Sequence, residues 1–260
     1  MRIKNQRNKK RKERRRGIYV LPNLLTTASL FCGFYAVITA IAGNFYQAAL
    51  SVLVAAVLDG LDGRIARFTR TTSAFGLQYD SLADLIAFGL APGVLVYLWA
   101  LKPFNRFGWM AAFLYVVCGA LRLARFNVQA GQASTNYFVG LPIPAAASVT
   151  AACILFIYQV GGTGSTGYLV VLIMIYVLSF LMVSNIPYPS FKGMKLTERR
   201  SFNFLVAAVL IFVLVALEPF IMLSVGILGY LLSGPILALY KLKKKPAPET
   251  VENAPRALFP

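Results

Sequence analysis

The stretch LDGLDGRIARFTRTTSAFGLQYDSLADLIAFG, residues 58–89, sets Asp59, Asp62, Asp80 and Asp84 inside apolar sequence, and the chain has no other aspartate. A carboxylate at the centre of a bilayer costs at least about 2.5 to 3.5 kcal/mol. Acids so placed need cations, hydrogen-bond donors or a polar cavity. Whether the surrounding sequence crosses a membrane therefore decides the fold.

Composition answers that first. The 260 residues are 58% hydrophobic and only 13% charged, with a mean hydropathy of +0.67, whereas about a quarter of the residues in a soluble domain are charged. Apolar runs of roughly the 20 residues needed to span a hydrocarbon core can be laid end to end at about 21–42, 46–67, 77–101, 106–128, 141–159, 168–185, 203–217 and 220–240. The sequence predicts an all-α, polytopic bundle of about eight transmembrane helices. A cleaved signal peptide would need a soluble body behind it, which this chain does not offer.

Lys and Arg set the orientation. The basic run MRIKNQRNKKRKERRRG at residues 1–17 belongs in the cytoplasm, and so do the Arg-rich link at 64–70, the link after Arg122 and Arg125, and the segments at 190–200 and 241–249. The uncharged connections at 42–45 and 160–167 fall outside, and only KPFNR at 102–106 breaks the pattern. Both termini are expected in the cytoplasm, in a multi-pass protein of the cell (inner) membrane.

The net charge of +17 sits in tails and links at the membrane surface, where anionic headgroups attract each Lys or Arg by about 1 kcal/mol. A bilayer is the expected partner, and nucleic acid is not. Cys32, Cys118 and Cys153 stand singly with no metal-type spacing. The chain has no His, so acid-base work falls to carboxylates.

At about 100° per residue, Asp59, Asp62, Gly63 and Ala66 share one helix face within an arc of roughly 100°. Asp80 and Asp84, spaced i and i+4, stack on one face of the next helix. The polar link FTRTTSAFGLQ at 68–78 turns between them, which brings the carboxylates together near the cytoplasmic boundary. An oxygen-only cluster suits a hard divalent cation, Mg2+ or Mn2+, completed by water or substrate phosphate. Gly63, Ala66 and Gly76 leave room for a ligand beside the backbone, and Arg67 is placed to pair with a phosphate or an acid.

Asp59, two residues, Asp62-Gly63, two residues, Ala66-Arg67, eight residues, Gly76, three residues, Asp80, three residues and Asp84 resembles, without a gap, the signature of the CDP-alcohol phosphatidyltransferase family. The resemblance implies that Asp59, Asp62 and Asp80 ligate divalent metal, with two ions expected, and that Asp84 lies close to the metals and is the general base. It also implies that Gly63, Ala66, Arg67 and Gly76, together with Asp59, Asp62 and Asp80, shape the CDP pocket. A six-helix core, often dimeric, is expected over 18–200, with two further helices over 201–240 and a disordered tail over 241–260.

The signature fixes the leaving group, CMP, but not the acceptor alcohol. ALRLARFN at 120–127, FVGLPIPAAA at 138–147 and VSNIPYPSFKGMK at 183–195 resemble the members of the family that use L-serine, the integral-membrane phosphatidylserine synthases. The implied reaction is transfer of the phosphatidyl group from CDP-diacylglycerol to the serine hydroxyl. Arg122, Arg125, Ser190 and Lys192 are the candidates to bind serine, whose carboxylate needs a cation; positive-inside anchoring predicts cations at the same places. Asn23 and Thr26 read as a helix-start signal with a smaller chance of touching nucleotide, and Pro142, Pro144, Pro187 and Pro189 as shapers of backbone. Glycerol 3-phosphate or an inositol phosphate as acceptor, an ion-coupled transporter, and a non-catalytic anchor are the alternatives.

Overall fold

The computed structural model describes residues 23–69, 73–129, 137–162 and 168–189, with residues 226, 229–231 and 233–236 near the C-terminus. The stretches expected to be helical up to residue 185 are helical close to their expected bounds. They are α1 (Asn23–Ile41), α2 (Phe45–Thr69), α3 (Ala74–Asp84), α4 (Ala91–Val96), α5 (Asn105–Gln129), α6 (Ile143–Gln159) and α7 (Leu169–Val183). The stretch 203–217 and both tails lie outside the described residues, as does 220–240 apart from the few positions named, which are helical.

α1 and α2 form an antiparallel hairpin. Gly43, at φ 81°, takes the left-handed conformation that ends α1, and its N–H donates to the Ala40 carbonyl at 3.1 Å, as a helix C-terminus requires. Ser29 Oγ donates to the Ala55 carbonyl and Thr26 Oγ1 to Asp62 Oδ2, so the start of α1 lies beside the end of α2. Buried alanines at 36, 40, 48, 49 and 55 fill the space between helices, the small-residue packing by which apolar helices approach closely.

α3 opens on Ser73, whose Oγ accepts from the Gly76 N–H at 2.9 Å, a side-chain N-cap. The rod then continues through a π-helical stretch, Leu85–Leu90, into α4 and a second π stretch, Tyr97–Leu101. Pro92 has no N–H to return to the Phe88 carbonyl one turn back; the Tyr115 hydroxyl of α5 donates to that carbonyl instead, at 3.2 Å. Ser81 meets Asn127, Phe88 meets Tyr115, and Gly108 lies so close to Leu101 that a Cβ there would strike its carbonyl. The rod and α5 are therefore antiparallel, and Asp80 and Asp84 lie at the same end as Arg122 and Arg125.

A short antiparallel ribbon, β1 (Tyr137–Val139) with β2 (Pro187–Pro189), joins the start of α6 to the end of α7 with Phe138 opposite Tyr188. The sequence reading did not foresee it; the fold is otherwise helical among the described residues. Asn23–Ile41 and Ala74–Val128 are helical stretches long and apolar enough to cross a membrane, the second broken by the turn Lys102–Phe104, and α6 and α7 are shorter apolar helices. Phe31, Phe34, Ile38, Phe113, Ile173 and Phe180 face outward. An apolar exterior around an interior rich in alanine suits lipid contact better than water.

Candidate functional site

At the end of the bundle where α1 begins, α2 ends and α3 begins, Asp59, Asp62 and Asp80 converge. One carboxylate oxygen from each can be chosen so that all three lie within 4.8 Å of one another. Helical spacing places Asp59 and Asp62 one turn apart on α2, and the capped turn at Ser73 returns the chain so that Asp80 faces them. Asp62 is 4% exposed and accepts from Thr26 Oγ1 at 2.8 Å. Next to that bond, Thr27 Oγ1 and Tyr79 OH are 2.8 Å apart, which ties α1 to α3 on the same side of the site.

Asp84 lies one turn deeper on α3. Its carboxyl is in hydrogen-bond contact with Asp59, and Arg122 from α5 is within electrostatic reach of both. Arg122 is 9% exposed and its guanidinium lies over the Phe126 ring, 5.6 Å from the centroid, a cation–π contact. Arg125 points elsewhere. Its Nη2 donates to Asn185 Oδ1 at 2.6 Å and its Nη1 to the Val183 carbonyl at 3.4 Å, pinning the end of α7 to α5.

The arrangement divides the candidates. Asp59, Asp62 and Asp80 are together, with Asp84 and Arg122 directly behind them, while Arg125 is engaged with α7. Among the described residues a Cβ on Gly63 would meet nothing within 4 Å, whereas a Cβ on Gly76 would press on Ser73 Oγ at 3.1 Å, so Gly76 serves the capped turn. The side chains of Ala66 and Arg67, and all of Ser190 and Lys192, lie outside the described residues. Thr26, read as a helix-start signal, instead holds Asp62. Its signal in the sequence was only a hydroxyl in an apolar helix.

The donor set fits a divalent cation. It is oxygen only, with three carboxylates close enough to share one centre, as hard cations prefer. Like charges this close repel one another, and a divalent cation held between them would offset that repulsion.

Comparison with known proteins gives the family. The family model described as CDP-alcohol phosphatidyltransferase matches residues 19–233. A protein of Helicobacter pylori named CDP-diacylglycerol--serine O-phosphatidyltransferase is 41% identical over 228 residues, which cover 87% of this chain and 94% of that protein. A Bacillus subtilis protein of the same name is 35% identical over 66% of this chain and 91% of its own length. An archaetidylserine synthase of Methanothermobacter thermautotrophicus is 37% identical over 67% of this chain and 71% of its own length.

Proposed function

The chain belongs to the CDP-alcohol phosphatidyltransferase family, and from that premise we propose that it transfers the phosphatidyl group of CDP-diacylglycerol to the hydroxyl of L-serine, giving phosphatidylserine and CMP. The observation that carries the acceptor is the similarity to serine-named relatives over nearly their whole length. The placement of Arg122 beside Asp84 supports it. In serine the hydroxyl and the carboxylate sit on neighbouring carbons, so a cation for one must lie next to a base for the other.

The roles follow from position. Asp59, Asp62 and Asp80, with Asp84, would hold Mg2+ or Mn2+, two ions in this reading, which supply Lewis-acid polarisation and charge neutralisation for the diphosphate. Thr26 fixes the rotamer of Asp62 through its hydroxyl. Gly63 leaves the α2 backbone open to the nucleotide, with Ala66 and Arg67 further along the same helix. Arg122 takes the serine carboxylate by charge-assisted hydrogen bonds. Asp84 accepts the hydroxyl proton, the serine oxygen bonds to the phosphorus that bears diacylglycerol, and the bond from that phosphorus to CMP breaks. Holding the attacking oxygen in line supplies much of the acceleration.

The enzyme works in the membrane, with its donor entering from the lipid and the aspartate end of the bundle facing the cytoplasm, as a homodimer. The test is CMP release by purified protein in detergent with CDP-diacylglycerol and Mg2+ or Mn2+, with and without L-serine, together with the mass of the lipid product. Serine-dependent CMP and phosphatidylserine are expected. CMP released only with glycerol 3-phosphate or an inositol phosphate would keep the aspartate chemistry and overturn the acceptor.

A further inference from the structure

Two neighbouring hydroxyls on α1 reach the two halves of the acidic site. Thr26 Oγ1 donates to Asp62 Oδ2 of α2 at 2.8 Å, and Thr27 Oγ1 lies 2.8 Å from the hydroxyl of Tyr79 on α3, the residue before Asp80. Consecutive residues of a helix point about 100° apart, so one turn of α1 can hold two different neighbours. Thr27 has a single hydroxyl proton, and that proton goes to the Asn23 carbonyl at 2.7 Å. The Tyr79 hydroxyl is therefore the donor in the second bond, and Thr27 its acceptor.

Tyr79 is held in this place from two sides. Its ring stacks on Phe75 one turn earlier, with centroids 6.0 Å apart and planes 8° from parallel. A Cβ on Gly76 would lie 3.6 Å from Asn23 Oδ1, so the start of α1 runs close over the first turn of α3. A tyrosine that only anchored a helix at a membrane boundary would turn its hydroxyl to the headgroups; this one turns it to α1.

We propose that Tyr79 is a positioning residue for the metal site, and that through Thr27 it makes α1 a bracket that fixes the spacing of Asp80 from Asp62 and so selects the size of the cation. The proposal rests on the reading of Asp59, Asp62 and Asp80 as metal ligands. Asp59 and Asp62 share α2, so their spacing is set locally. Asp80 comes from α3, and its spacing from the other two depends on how α2 and α3 are held relative to each other. α1 holds both, with Asp62 on one threonine and the neighbour of Asp80 on the next. Mg2+ demands near-ideal octahedral geometry with oxygens at about 2.0–2.1 Å, whereas Ca2+ accepts irregular sets at about 2.3–2.6 Å. A rigid bracket favours the smaller ion, and a loosened one surrenders that preference first.

The test is metal binding by purified protein in detergent without substrate, with free Mn2+ counted by its paramagnetic resonance spectrum and Mg2+ or Ca2+ added as competitor. Wild type is expected to bind Mg2+ more tightly than Ca2+. In Tyr79→Phe, which keeps the ring on Phe75, and in Thr27→Val, Mg2+ affinity should fall about fivefold, the order set by one neutral hydrogen bond, while Ca2+ affinity stays within about twofold. The double variant should lose no more than either single one, since both break the same bond. Thr27→Ser, which keeps the hydroxyl, should bind as wild type does.

Wild type that prefers Ca2+, a Mg2+-to-Ca2+ ratio unchanged in Tyr79→Phe, or full additivity in the double variant would overturn the proposal and leave the metal site in place. Loss of Mn2+ binding in Asp80→Asn would identify the bound ion with this site. Asp80→Asn that binds as wild type does would defeat the metal reading itself, and the proposal with it.

Discussion

Asp62 and Thr26 show what a single hydroxyl does at this site. The carboxylate is nearly buried and one of its oxygens is held at 2.8 Å by Thr26, with the Gly63 N–H as a further donor, so Thr26→Val removes one of the bonds that hold the rotamer. Loss of a group that orients a metal-binding side chain costs about 10- to 100-fold in metal affinity. A Mn2+ titration of Thr26→Val activity should show the half-saturating concentration rising by that order while activity at saturating metal largely recovers; an unchanged titration would make the bond incidental. Asp80→Asn is more severe. It removes one of three converging carboxylates and should abolish turnover while the protein keeps its elution volume and helical circular dichroism, and near-normal turnover would defeat the metal assignment. The aspartates were legible in the sequence because acids in apolar runs are too costly to be idle. Thr26 was not, because a helical hydroxyl can satisfy itself on its own backbone, as Thr27 does on the Asn23 carbonyl at 2.7 Å. Arg122 and Arg125 looked alike for a related reason: both stand near a helix end, and only the packing of α7 shows that Arg125 is engaged by Asn185.

The rod from α3 to α4 carries the main element-scale lesson. Its length and apolar character were readable, but the π stretches were not, since one extra residue in a turn leaves composition untouched. Such stretches are frequent at functional sites, and the first begins directly after Asp84. It is stabilised by Tyr115, whose hydroxyl meets the carbonyl that Pro92 cannot serve. Tyr115→Phe keeps the ring and leaves that buried carbonyl without the phenol donor, so it should destabilise the protein by about 1–3 kcal/mol. Thermal unfolding in detergent should show a clear fall in midpoint, and an unchanged midpoint would mean that another donor serves Phe88. The ribbon of β1 and β2 was also unreadable, because strands of three residues rich in proline carry no periodic signal. Reading Pro187 and Pro189 as shapers of backbone is compatible with their place there.

Over the whole molecule, the two hairpins put every described candidate at one end. The turn at Gly43 lies at the far end of α1 and α2 from Asp59 and Asp62, just as the turn at Lys102–Phe104 lies far from Asp80 and Asp84. A phosphatidyltransferase draws on a nucleotide-bearing lipid and releases CMP, a charged product that does not cross a bilayer unaided, so the proposed chemistry predicts that the aspartate end faces the compartment that makes and reuses the nucleotide. The distribution of Lys and Arg gives the same orientation by an independent route. Cysteines introduced one at a time as Asn44→Cys and Ala74→Cys separate the two ends, since Cys32, Cys118 and Cys153 lie within helices. In intact cells a membrane-impermeant maleimide should label position 44 readily and position 74 only after permeabilisation. The reverse pattern would put the aspartates outside, contradict both the charge rule and the proposed chemistry, and return the intramembrane acids to an ion-transport reading.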